Sequence, residues 1–244
     1  MHEFELGVFK SFFIHLLRIL FAHGGGAISE LNTRYKSEHA GDMNLTILLQ
    51  FPLDPHVRTL HYSPLHPQHV CLEENGSVEL PEYIAGAFNG SAMSQPSLII
   101  ELQCAIPVVE GLLREPYNSE ILDILFTLGE WHTLAKLKLH TDATLNLLAL
   151  ANKGVGRLLR RFKRVTCPNF ATKELPSEEA SRGRAQARQA AKAKGKARTR
   201  PVKTTPKVKE YSLLTYKLHS LGDYVSTIRW FGTSDSYSTQ PVRA

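Results

Sequence analysis

Eleven lysine or arginine residues fall between positions 182 and 209: Arg182, Arg184, Arg188, Lys192, Lys194, Lys196, Arg198, Arg200, Lys203, Lys207 and Lys209, with no acid among them. Cations at this density neutralise phosphates and release condensed counterions. The segment therefore has the chemistry of a salt-sensitive, sequence-independent contact to a nucleic-acid backbone, or of a nuclear-import signal. A solvated linker has the same composition. A second basic cluster lies upstream. Arg157, Arg160, Arg161 and Arg164 are spaced i, i+3, i+4 and i+7, with Lys163 beside them, which puts the four arginines on one face of a helix end. That face suits a phosphate backbone, and equally a helix C-terminal dipole or an acidic lipid or protein partner.

Other chemistry-bearing residues are less well placed. His56, His61, His66, His69 and Cys71 are zinc-ligand types, but their spacing fits no standard finger and the prolines between them give no rigid frame, so they read as loop histidines. His219 and Asp223 lie one helical turn apart without a nucleophile set beside them. The chain contains no GxSxG, P-loop or GxGxxG motif, and Gly24–Gly26 follows a helical pattern where a phosphate cradle would follow a strand. No catalytic residue, metal ligand or cofactor is assigned on these grounds.

The 244 residues are 43% apolar and 21% charged, which excludes a disordered, collagen-like or disulfide-scaffold chain. Of the formal charge of +6, residues 182–209 contribute +11, leaving 18 basic and 23 acidic residues elsewhere. The charge pattern is thus a mildly acidic body with one cationic segment. Cys71, Cys104 and Cys167 are far apart and odd in number, which points to a reducing compartment, nucleus or cytoplasm, and away from secretion. The apolar stretch Phe4 to Ala22 is interrupted by Glu5, Lys10, His15 and Arg18, too many charges for a membrane span. It reads as an amphipathic helix with Lys10–Ser11, His15 and Arg18 as a narrow wetted stripe.

The elements follow from periodicity. Residues 1–30 hold the N-terminal helix, stopped at Gly24–Gly26. Residues 31–97 contain six of the thirteen prolines and no sustained period, and are expected to be an irregular, poorly ordered insertion. Residues 98–175 read as helical. Leu98–Leu113 is one candidate, interrupted at Pro107. A second starts at Asn118-Ser119-Glu120, with Ile121, Leu125, Leu128, His132, Ala135 and Leu139 at three-to-four spacing and Lys136, Lys138 and His140 in its last turn. Thr141-Asp142 caps a third, with Leu145, Leu148, Asn152, Val155, Leu159 and Phe162 as its apolar face, and Gly154 and Gly156 each cost it about 1 kcal/mol relative to alanine. The pair should form an antiparallel hairpin. Residues 176–210 have helix propensity without an apolar face, and are expected to be a fraying basic linker. Ser212 is expected to cap a helix over 211–232 with Leu214, Leu218, Leu221, Val225 and Ile228 inward. Residues 233–244 read as a tail. The class is mainly α, an incomplete helical assembly with an irregular insertion and a basic low-complexity linker.

The opening His2-Glu3-Phe4-Glu5-Leu6-Gly7-Val8-Phe9-Lys10 resembles a block of fungal Plavaka-type transposases, relatives within the CACTA superfamily. Residues 102–113 (LQCAIPVVEGLL), 119–140 (SEILDILFTLGEWHTLAKLKLH), 162–175 (FKRVTCPNFATKEL) and 211–240 (YSLLTYKLHSLGDYVSTIRWFGTSDSYSTQ) resemble further blocks in the same order. The resemblance implies a piece of a cut-and-paste DNA transposase, whose intact members are expected to hold Mg²⁺ on acidic residues of an RNase H-like core, for in-line attack on a phosphodiester. The chain departs from that pattern in three places. The acid that precedes the His-Glu block is missing, residues 31–97 do not match and read as intron-derived or frame-shifted, and the chain stops at Ala244 where the family continues. Asp123, Asp142, Asp223 and Asp235 lie in matching blocks but are better explained as helix-start, pairing and turn residues.

Taken together, the expectation is a transposon-derived, catalytically inactive fragment that binds DNA nonspecifically through residues 182–209 and the Arg157–Arg164 face, with no membrane partner. Self-association through helix faces left without their original neighbours is a further expectation. A helical protein-interaction module with an import-type basic segment is the alternative. A residual metal-dependent nuclease using Glu3, Asp123 or Asp235 ranks below both.

Overall fold

The computed structural model describes residues 4–40, 105–193 and 205–234. The described residues are mainly α-helical. They contain no strand, only one antiparallel bridge between Lys173 and Val208.

A π-helical turn, Phe4–Phe9, runs directly into α1, Lys10–His23. Phe12, Phe13, His15, Leu16, Leu17, Ile19 and Leu20 of α1 are all buried, as are Phe4, Val8 and Phe9 before it. A helix apolar on nearly all sides can only be stable with neighbours on all sides, and α1 is accordingly a central rod. The expected wetted stripe is therefore corrected at His15, whose ring is fully buried between Phe162 and Tyr211, at centroid distances of 6.0 and 5.2 Å. Gly24 stops α1 with φ at 143°, and α2 (Gly25–Ala40) starts at once, burying Ile28 and Leu31. The irregular insertion expected from residue 31 is thus helical as far as Ala40, and its remainder lies outside the described residues. Arg34 ties α2 to the next described segment by donating to the carbonyl of Glu110.

Residues 105–109 form a short helical turn with Pro107 inside it, and bury Ala105, Val108 and Val109. Gly111, at φ 73°, then redirects the chain. The rest of the Leu98–Leu113 helix expected from the sequence does not form over 110–113, and 98–104 lie outside the described residues. Helix α3 (Tyr117–Ala135) and helix α4 (Asp142–Arg161) pack as the predicted hairpin. The Thr141 hydroxyl accepts from Thr144 N–H at 3.3 Å, and the Thr144 hydroxyl accepts from Thr141 N–H at 2.8 Å, a reciprocal cap. The buried stripe of α4 is Leu145, Leu148, Ala151, Val155 and Leu159, continued by Phe162, so Ala151 faces inward where Asn152 was expected. A Cβ on Gly154 would sit 3.3 Å from Thr127 Cγ2, so the glycine that weakens the helix also lets the two helices approach. Helix α3 ends at Ala135, leaving Lys138 and His140 in the link and outside its last turn.

After α4 the helix continues through a π turn (Phe162–Thr166) and a 3₁₀ turn (Cys167–Asn169). Helix α5, Pro176–Ala193, occupies the segment expected to fray. Tyr211 is buried, but no helix starts at Ser212, whose hydroxyl instead accepts from Leu214 N–H. The single expected C-terminal helix is broken into α6 (Tyr216–His219), a 3₁₀ turn (Ser220–Asp223) and α7 (Tyr224–Phe231), stopped at Gly232 with φ 85°. Leu221 and Ile228 point inward as predicted, whereas Leu214 is 88% exposed because it lies before the helical part. Phe4 stacks on Trp131 at 4.6 Å, and Tyr224 meets Trp131 edge-on at 5.0 Å, joining the two chain ends to α3.

Among the described residues no helix is long and apolar enough to cross a membrane. A Cβ on Gly7 would fall 2.5 Å from Lys217 Cδ and 2.7 Å from its Cβ, so the resembling block uses glycine where α6 crosses the N-terminal turn. Gly7→Ala should cost about 1–3 kcal/mol by overpacking; urea unfolding checks this, and an unchanged midpoint would show that α6 does not bear on Gly7.

Candidate nucleic-acid interface

Arg157, Arg160, Arg161, Lys163 and Arg164 are all exposed at the C-terminal end of α4 and the turn that extends it. Cations there oppose the negative end of the helix dipole. They are not equivalent. Arg161 Nε lies 3.3 Å from Glu120 Oε1, and the second oxygen of that buried carboxylate accepts from the Thr166 hydroxyl. The Arg160 guanidinium folds back over Gly156, 3.1 Å from where a Cβ would stand. Among the described residues Arg157, Arg160, Lys163 and Arg164 have no acidic partner. Four cations at the end of one rigid helix are thus available to an external anion.

The basic segment is organised differently from the sequence expectation. Glu174 is buried, its side chain 3% exposed. Arg182 donates to it through Nε at 3.0 Å and Nη2 at 2.8 Å, Lys207 N–H donates at 3.2 Å, and Lys209 Nζ stands 3.4 Å away. Arg182 also reaches the carbonyl of Thr205 at 2.8 Å. The backbone agrees: Glu174 N–H donates to Lys207 O at 2.8 Å and Lys209 N–H to Thr172 O at 3.0 Å. One carboxylate thereby fastens both ends of residues 182–209. The hydrogen bond from Arg182 is the leading reason that the Glu174 carboxyl is held down at about 2, ahead of the opposing effect of burial.

Over Pro176–Ala193 the segment expected to fray is a helix, held by a second set of contacts. Pro176 opens α5, and the Glu178 carboxylate accepts from Leu175 N–H at 3.0 Å and from Arg18 Nε at 3.1 Å. The helix is held by ion pairs in its first two turns, which a search for an apolar face does not see. The readable signal was the run Glu174-Leu175-Pro176-Ser177-Glu178, proline at the first helical position with a carboxylate two residues on. Of the predicted contact residues, Arg182 and Lys209 are occupied by Glu174. Arg184 and Arg188 are exposed on α5, with Arg184 donating to the Ser181 hydroxyl at 2.9 Å, and the Lys207 side chain is exposed. Lys192 lies on α5 with its side chain undescribed, and Lys194, Lys196, Arg198, Arg200 and Lys203 lie outside the described residues.

Two buried polar groups that the sequence did not single out as sites belong to the core. Glu5 Oε1 lies 3.1 Å from His132 Nε2 and 3.2 Å from Lys136 Nζ. Burial pushes the Glu5 carboxyl up, but His132 and Lys136 together outweigh it and its pKa lies below the ordinary value; burial holds His132 below its own. Among the described residues no group of three histidine, cysteine, aspartate or glutamate side chains is placed to hold a metal ion. Asp123, Asp142 and Asp223 are exposed on helix surfaces, while Glu3 and Asp235 lie outside the described residues, as do His56, His61, His66, His69 and Cys71. Compared with known protein families, characterised proteins and solved structures, the chain matches none.

Burial of His15 and the pairing of Glu174 make stability depend on pH. Burial first, and Arg18 second, lower the His15 pKa from 6.5 to about 4. The unfolded chain takes up a proton at His15 that the folded one refuses, so stability falls as pH drops from 6.5 towards 4, by up to about 3 kcal/mol. His15→Leu should remove that component; parallel thermal melts at pH 7 and pH 4.5 check it, and equal pH losses in both proteins would contradict it. Glu174 acts in the same direction at lower pH: its contribution is present above the ordinary carboxylate range and is lost as pH falls towards about 2. Glu174→Gln, which breaks the pairing at any pH, should raise amide exchange over residues 172–182 and 205–209 at least tenfold, read by hydrogen-exchange mass spectrometry.

Proposed function

We propose that the protein is a transposon-derived helical protein that binds the backbone of DNA without sequence preference, and that strand cleavage is not part of its activity. What carries the proposal is the exposed, unpaired set Arg157, Arg160, Lys163 and Arg164 on one rigid helix end, with Arg184, Arg188 and Lys207 exposed on the fastened basic segment. The blocks that resemble Plavaka-type transposases support the origin. The anchored cations contribute more per contact than a free tail would, because fewer degrees of freedom are lost on binding. Binding of this kind releases counterions and weakens steeply with salt.

A gel-shift series with a duplex of arbitrary sequence in rising salt tests this. Binding should be strong at 50 mM salt and fall by orders of magnitude by 200 mM, with a log–log slope that decreases by about 0.9 for each phosphate contact removed. Arg157→Gln/Arg160→Gln/Arg164→Gln should lower that slope by about 3 at most. Absence of a shift at low salt, or an unchanged slope in the triple variant, rejects the proposal. Equal affinity for polyglutamate would favour the interaction-module reading.

A further inference from the structure

The cationic end of α4 is more than the last turn of a helix. After Arg161 the chain makes the π turn Phe162–Thr166. Both ends of that turn are fully buried, while Lys163 and Arg164 between them are exposed. Phe162 is fixed by aromatic packing, edge-on to Phe12 at 5.2 Å and to Tyr211 at 5.3 Å. Thr166 is fixed by a polar contact: its hydroxyl donates to Oε2 of Glu120, a buried carboxylate in the first turn of α3. The two cations are thus carried between two anchored points, one apolar and one polar.

The same carboxylate reaches back to α4. Glu120 Oε1 accepts no hydrogen bond, and Arg161, with its Nε 3.3 Å away, is the charge that faces it. A buried carboxylate stripped of its counter-charge is strongly destabilising, so Arg161 stays at Glu120 although most of its own side chain is exposed. The helix ends favour this pairing, since Glu120 stands at the positive end of α3 and Arg161 at the negative end of α4. We infer that Glu120 is a positioning residue of the cationic end: through Thr166 it fixes the turn that presents Lys163 and Arg164, and through Arg161 it withholds one arginine from any external anion. The face that helical spacing makes uniform is thereby divided. Arg161 serves the fold, and Arg157, Arg160, Lys163 and Arg164 serve the contact. Which anion those four meet rests on the DNA reading above; the clamp itself does not.

Two measurements on the full chain separate the clamp from the DNA reading. Without DNA, Thr166→Val keeps the shape of the side chain and removes its hydroxyl; amide exchange over residues 162–169 should rise about tenfold, with that over residues 145–155 unchanged. Thr166→Ser, which keeps the hydroxyl and loses the methyl group, should exchange like the unaltered protein, the reverse of what a packing role alone would give. In the salt series with duplex DNA, Arg164→Gln should reduce the log–log slope by about 0.9, and Arg161→Gln should leave it unchanged. Thr166→Val should weaken binding severalfold at fixed salt, and Thr166→Ser should not. Unaltered exchange in Thr166→Val, or equal disturbance by Thr166→Ser, overturns the clamp. A slope that falls as far in Arg161→Gln as in Arg164→Gln overturns the withholding of Arg161. The expected exchange pattern in a protein that binds no DNA would support the clamp and reject the DNA reading alone.

Discussion

One buried carboxylate, that of Glu174, holds together the part of the molecule with the highest positive charge. Taking a carboxylate out of water is expensive, and only close pairing with further hydrogen bonds offsets it. Glu174 receives that compensation from Arg182, Lys207 N–H and Lys209, which lie at the two ends of the basic segment. The consequence is that Arg182, at one end of that segment, and Lys207 and Lys209, at the other, meet at one carboxylate. Helix α5 has no apolar face to bury, so its position rests on this pairing and on the second one, Glu178 with Arg18. Two acids thus hold α5 at its first two turns.

The rod α1 explains the rest of the fold. Buried on nearly every side, it needs α2, the hairpin of α3 and α4, and the Tyr211 segment around it. Polar groups enter this core only where the neighbours can answer them. Glu5 meets His132 and Lys136, and Glu120 meets Thr166 and Arg161. His15, neutral among aromatic rings with both nitrogens unpartnered, and the fully buried Trp131 Nε1 are exceptions. Cys167 follows the same logic as a thiol whose burial pushes it up to about 12, with the nearby Glu120 charge in second place, which makes it an inert packing residue.

The mainly α class, the α3–α4 hairpin and its Thr141 cap were legible because long amphipathic periods and capping residues are local signals. The four exposed arginines on α4 and the turn that extends it were legible for the same reason, since i, i+3, i+4, i+7 spacing needs no tertiary knowledge. Three things were not. His15 reads as solvent-facing on a helical wheel, and only the arrival of Phe162 and Tyr211, far away in sequence, turns it inward. Helix α5 lacks the apolar stripe by which helices are recognised, and its anchors Arg18 and Glu174 lie outside it. Leu214 fits a helical stripe by spacing, yet the chain is still extended there, and the stripe begins only at Leu218. In the first two cases a long-range contact overrode a local pattern.

The central claim is that rigidly held, unpaired arginines at the end of α4 and on α5 meet DNA while Arg182 stays with Glu174. Arginine side-chain Nε–Hε resonances, followed by NMR as a nonspecific duplex is added at low salt, address it residue by residue. The account predicts movement of Arg157, Arg160, Arg164, Arg184 and Arg188 with Arg182 and Arg18 stationary. A titration in which those five stay fixed, or in which Arg182 leaves Glu174 as the duplex binds, would contradict it.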